Sequence, residues 1–135
     1  MKDWSKDWKA SKKPSKQRKY RYNAPLHIKQ NFMGVHLSPE LRKKYERRTI
    51  TIRTGDKVRV LRGQFSKKMG KVSEVKVKLG KVYVEGIEHV KRDGSKTFIP
   101  LNPSNLMITE LILDDKLRKK KLTKEEVKKE SKKNG

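Results

Sequence analysis

Gln64-Phe65-Ser66-Lys67-Lys68-Met69 places one aromatic ring beside two ammonium groups, between Gly63 and Gly70. Residues of these types do non-covalent chemistry. Ammonium groups neutralise phosphate, a ring stacks on a base, and glycine lets the backbone approach a partner closely because it has no side chain. A second group of this kind lies upstream, where Arg18, Lys19 and Arg21 interleave with Tyr20 and Tyr22. Guanidinium groups bridge phosphate oxygens through two parallel bonds. Covalent and metal chemistry have no such support. His27, His36 and His89 are far apart and have no cysteine partner, and no loop ends in Gly-Lys-Ser/Thr. No enzymatic activity and no cofactor are expected.

Charge points the same way. The 135 residues carry a formal net charge of +23, with 39% charged and 32% hydrophobic residues. Residues 1–48 hold 15 Lys/Arg against 4 Asp/Glu, residues 49–113 hold 13 against 6, and residues 114–135 hold 10 against 5. The middle segment is mildest in charge and richest in β-branched residues, so the core belongs there, flanked by basic extensions that need a polyanion to become compact. Nucleic acid is the partner this predicts. No apolar run exceeds three residues and the first nine residues lack a secretory apolar stretch, so no membrane insertion is expected and an intracellular protein is the simplest reading.

The elements that must position these side chains follow from local pattern. Residues 1–22 read as an extended basic arm, with Pro14 blocking helix continuation and Trp4 and Trp8 spaced as on one helical face. Asn23-Ala24-Pro25 starts one short helix. Ser38-Pro39-Glu40-Leu41 starts another, with Ser38 capping and Leu41 and Tyr45 facing inward. Val58 and Val60 alternate with Lys57 and Arg59, the period of a half-buried strand. Strands are expected near 49–53, 57–62, 70–77, 81–87, 96–101 and 105–110, with turns at Leu79-Gly80 and Asp93-Gly94. Such short strands argue for a mainly β fold built on a small SH3-like barrel. Asp114-Asp115 opens a helix in the basic tail, and Thr123-Lys124-Glu125-Glu126 has the spacing of a capping box. The organisation expected is therefore a basic arm with two short helices (1–48), the barrel (49–113) and a partly helical tail (114–135).

Gly55, Asp56, Val58, Val60 and Gly63, followed by Gly70, Val72 and Val75, resemble a KOW motif, the Gly-Asp-x-Val-x-Val-x-x-Gly element of some ribosomal proteins and transcription elongation factors. The likeness extends to Tyr22-Asn23-Ala24-Pro25-Leu26-His27-Ile28, Leu37–Tyr45 and Asn102-Pro103-Ser104-Asn105-Leu106-Met107-Ile108-Thr109. In that order they resemble the large-subunit ribosomal protein twenty-four family in its archaeal/eukaryotic form, over roughly residues 16–120. The short tail resembles the archaeal members. The resemblance implies a structural constituent of the large ribosomal subunit, in the cytoplasm, that binds rRNA and supports subunit assembly. It implies a place near the polypeptide exit tunnel, beside other large-subunit proteins and within reach of exit-tunnel factors or the nascent chain. The residues expected to face RNA are Arg18, Lys19, Arg21, Tyr22, His27, Lys29, Arg42, Lys43, Lys44, Arg47, Arg48, Arg53, Arg62, Phe65, Lys67, Lys68 and Lys71. Asp56 is expected to fix its turn or pair with a cation rather than act as an acid. The rival reading is a KOW-type elongation factor contacting RNA polymerase, and a third is a compactor of duplex DNA.

Overall fold

The computed structural model describes residues 4–5 and 11–123; Trp8, the capping box beyond Thr123, and Lys128 and Lys129 lie outside the described residues. The chain begins with α1 (Pro14–Asn23), where an extended arm is expected. Pro14 stands at the first helical position, where its missing N–H costs nothing, so it opens the helix instead of preventing it. No α1 residue is fully buried. Tyr20 tethers it, its ring centroid lying 5.1 Å from Trp4 and 6.2 Å from Phe32. Pro25 forces Ala24 into an extended conformation and ends the helix, and α2 (Leu26–Asn31) follows.

Gly34–Leu37 then forms β1, a strand the sequence pattern did not announce. Ser38 caps α3 (Pro39–Tyr45) as expected: its Oγ accepts from the Leu41 amide at 3.4 Å, and Tyr45 is buried. The remaining strands are β2 (Thr49–Thr51), β3 (Lys57–Val60), β4 (Met69–Lys76), β5 (Lys81–Val84), β6 (Glu88–Val90), β7 (Lys96–Phe98) and β8 (Leu106–Glu110). Residues 116–123 are helical (α4). Asp115 caps this helix, its Oδ1 accepting from the Leu117 amide at 2.8 Å.

The fold is sheet-rich with short helices. Six strands pair in the order β2-β1-β8-β3-β4-β5. Among the described residues only the β1–β8 pair is parallel; the other pairings are antiparallel. The hydrogen-bonded order is open, with β2 and β5 as its ends. β6 and β7 form a separate hairpin turned by Asp93-Gly94-Ser95, where Asp93 accepts from the Ser95 amide at 2.9 Å. The core gathers alternate residues of the main sheet: Val35 and Leu37, Ile50 and Ile52, Val58 and Val60, Val72, Val82 and Val84, Leu106 and Ile108. Val75 packs against it half-buried, and Leu122 seals it from α4.

Candidate nucleic-acid interface

The basic hairpin between β3 and β4 is closed by backbone bonds, the Val60 N–H donating to Lys68 O (2.9 Å) and the Lys67 N–H to Val60 O (2.8 Å). Two residues thus oppose one, a bulge that bends the strand. Lys67 takes the left-handed conformation at φ 70°, unfavourable for a residue with a side chain by about 1–2 kcal/mol. Phe65 anchors the loop by packing half-buried on the core, and the Lys68 ammonium sits 5.0 Å from its ring centroid. Arg62, Lys67, Lys68 and Lys71 stay exposed. The loop is therefore a fixed display of cations on an aromatic anchor.

Its two glycines serve different needs. Gly63 has φ 94° and open space around a hypothetical Cβ, so only its backbone angle demands glycine. Gly70 has an ordinary angle, but a Cβ there would run into the Glu85 carbonyl and the Val84 side chain across the β4–β5 pair.

Asp56 faces inward and is fully buried. Arg118 of α4, 3% exposed, grips it through two parallel bonds of 2.7 Å, NH1 to Oδ1 and NH2 to Oδ2. The carboxylate also accepts from the Arg53 and Ile112 amides, both at 3.0 Å. Arg118 in turn donates to Ile112 O at 2.9 Å and Thr51 O at 3.2 Å. One buried ion pair thus ties β2, the turn into β3, the exit from β8 and α4 together. A turn-fixing, cation-paired Asp56 is what the sequence suggests; its partner 62 residues away is what sequence reasoning missed. The available signal was a lone arginine four residues before Leu122 in a lysine-rich run, since arginine suits buried bidentate pairs.

The cations expected to face RNA are all at least partly exposed, and they fall into groups. Arg18, Lys19, Arg21 and Tyr22 project from α1, Tyr22 being 82% exposed with the Lys29 ammonium 5.8 Å from its ring. His27 is exposed on α2. Arg42, Lys43 and Lys44 line α3, the Arg42 Nε also donating to Leu37 O at 2.8 Å. Arg47 and Arg53 join Lys120 and Lys121 around a groove of about 910 Å3 between β2 and α4. Arg53 pairs with Asp115, whereas Arg18, Lys19, Lys43, Arg48, Arg62, Lys67 and Lys71 have no carboxylate partner among the described residues. Positive charge is left uncompensated around the molecule, which suits a polyanion that wraps it. Arg21 and Lys29 also meet Lys78 and Lys81 around a smaller cavity, and that second pair was not singled out by the sequence.

Comparison with known proteins adds an independent line. A family described as the ribosomal proteins L26 of eukaryotes and their archaeal counterparts of the twenty-four type matches residues 11–125. A protein of Methanocella arvoryzae called large ribosomal subunit protein uL24 is 50% identical over 108 residues, 80% of this chain and 87% of its own length. Proteins of the same name from Methanosphaera stadtmanae and Methanothrix thermoacetophila are 46% identical over 114 residues and 47% over 110. These alignments cover 84% and 82% of this chain, and 97% and 95% of the relatives.

Proposed function

Because the chain belongs to the family of ribosomal proteins that joins eukaryotic L26 to its archaeal counterparts, we propose that it clamps large-subunit rRNA between a rigid cationic hairpin and basic extensions. It is a structural, non-enzymatic constituent of the large ribosomal subunit, residing with the ribosome in the cytoplasm, where it binds rRNA and neighbouring ribosomal proteins. The observation that carries this is the family match over residues 11–125. The elongation-factor alternative is not supported: the match includes the stretch where such a factor carries a separate α/β domain before its KOW element.

Residues 49–113 act as the centre, with 1–48 and 114–135 as RNA-facing extensions anchored on it through β1, Arg118 and Leu122. The centre is read as an SH3-like barrel. In support, Ile50 and Ile52 near one end of the strand order share a core with Val72, Val82 and Val84 near the other, and Val75 and Val77 line the same groove as β2. The seventeen RNA-facing residues act chiefly through charge. A-form grooves hide base edges, so the shape of the folded RNA decides the site, with the exposed Tyr22 stacking on an unpaired base and Phe65 holding the hairpin's cations toward the RNA. A place near the exit tunnel brings the nascent chain or exit-tunnel factors within reach of the extensions.

Filter binding to large-subunit rRNA across a salt series tests this reading. Neutralising on the order of 6–10 phosphates lowers affinity by roughly 10³–10⁵ between 50 and 200 mM salt, by the duplex-DNA scale. Random duplex DNA should compete poorly. A salt-insensitive complex, or equal competition by duplex DNA, would count against it.

A further inference from the structure

The geometry points to a pocket that holds one extruded nucleotide of the bound RNA, an inference that rests on the rRNA-binding reading above. The cavity, about 370 Å3, opens where α1 and α2 meet the turn from Val77 to Lys81 and the turn at Asn102. That is the size of a site for a single small ligand, roughly 300–1,000 Å3. Arg21, Lys29, Lys78 and Lys81 line it, and among the described residues no carboxylate does. Four like charges round a concave wall repel one another, so the occupant is an anion.

Phosphate alone leaves the rest of the wall unexplained. Phe32 and Leu79, the latter 67% exposed, give the cavity apolar surface from two different segments. Phe32 has neighbours that limit its motion: the Tyr20 ring lies 6.2 Å away at a tilt of 54°, Trp4 packs tilted against Tyr20, and the Arg21 guanidinium sits over the Phe32 ring, 5.8 Å from its centroid. An aromatic ring and a guanidinium are the two side-chain types on which unpaired bases stack. Asn102 then supplies polar recognition. Its Oδ1 accepts from the Lys81 Nζ at 2.6 Å, which orients the amide and leaves its NH2 without a protein partner among the described residues. Ser104 adds a hydroxyl that can donate or accept. Anion-binding rim, stacking wall and edge-reading amide together describe a nucleotide, and bulged or looped rRNA presents nucleotides in that unstacked form. The Asn102-Pro103-Ser104-Asn105 segment thereby gains a role beyond turning the chain.

The test is NMR of the isotope-labelled full chain titrated with nucleoside monophosphates, with inorganic phosphate and a polyglutamate peptide as controls. Saturable, concerted shifts of the Phe32 ring, the Leu79 methyls and the Asn102 side-chain amide are expected with nucleotides only. Phe32→Ala should weaken binding about tenfold or more, as loss of base stacking does. The exposed Leu79→Ser variant should weaken it too with the fold unchanged, which covers the case in which Phe32→Ala fails to fold. Shifts confined to the basic residues and equal for phosphate, shifts of Phe32 and Leu79 with polyglutamate, or no shifts would each overturn the proposal. Parallel rRNA filter binding separates the two levels. Intact rRNA binding without nucleotide shifts removes the pocket alone, whereas lost rRNA binding removes the reading beneath it.

Discussion

Cutting the Asp56–Arg118 pair should unfold the centre of the molecule more readily than any surface change. In Arg118→Met the Asp56 carboxylate stays fully buried and keeps only the Arg53 and Ile112 amides as partners, each at 3.0 Å. In Asp56→Asn an NH2 donor is turned toward a guanidinium that can only donate. Removing one member of a buried pair costs about 3–5 kcal/mol, because the surviving charge has no compensation. Against a total stability of about 5–15 kcal/mol that is a large fraction. For a chain of this length it corresponds to a fall in melting temperature of roughly 10–25 °C. Thermal and urea unfolding of the RNA-free protein, followed by circular dichroism, measures it. Because the pair is buried, the loss should be nearly the same in low and high salt. The double variant Asp56→Leu with Arg118→Met should recover part of the stability, since both charges leave together, while the Arg53 and Ile112 amides and the Thr51 and Ile112 carbonyls lose these partners. Single variants costing less than about 1 kcal/mol, or a double variant as unstable as the sum of the singles, would show that the pair does not hold the fold together.

Three further outcomes follow from particular contacts. Gly70→Ala forces a methyl onto the Glu85 carbonyl and should cost about 1–3 kcal/mol, whereas Gly63→Ala meets open space and suffers only its positive φ, about 1–2 kcal/mol; urea midpoints of the two variants report this. Lys67→Gln with Lys68→Gln leaves the core untouched, so stability should hold while the salt dependence of rRNA affinity flattens by about 1.4–1.8 in log–log slope, read by filter binding. The Leu117 amide, followed by the neighbouring Arg53 guanidinium, holds the Asp115 carboxyl below its ordinary value of 3.8. A lowered folded-state value means the cap stabilises α4 above that ordinary value and is lost as pH falls below it, so the Leu117 amide resonance should move only under acid.

What was legible in the chain was what local physics decides. The valine alternation at Val58 and Val60 exposes β3, and Ser38-Pro39 announces α3 through capping chemistry that depends on neighbours alone. Asp93-Gly94 and Leu79-Gly80 mark turns because the glycines at 94 and 80 adopt positive φ, 86° and 65°. Tertiary contacts decided the rest. β1 has only four residues, and its partners are β2 and the distant β8, so its pattern is too short to stand out. α1 buries no residue fully and is tethered through an aromatic contact of Tyr20 with Trp4, with no periodic apolar face to reveal it. Little local sequence marks the role of Arg118, because its carboxylate partner is 62 positions away. The candidate interface was readable as a charge inventory. Its grouping round grooves was not, since Lys78 and Lys81 reach Arg21 and Lys29 only once the sheet has folded.

Sucrose-gradient sedimentation of the tagged chain with purified ribosomal subunits addresses the central claim most directly. The chain should travel with the large subunit at moderate salt and be absent from the small-subunit peak. A chain that stays at the top of the gradient, or spreads equally over both subunits, would mean that its charge serves some polyanion other than large-subunit rRNA.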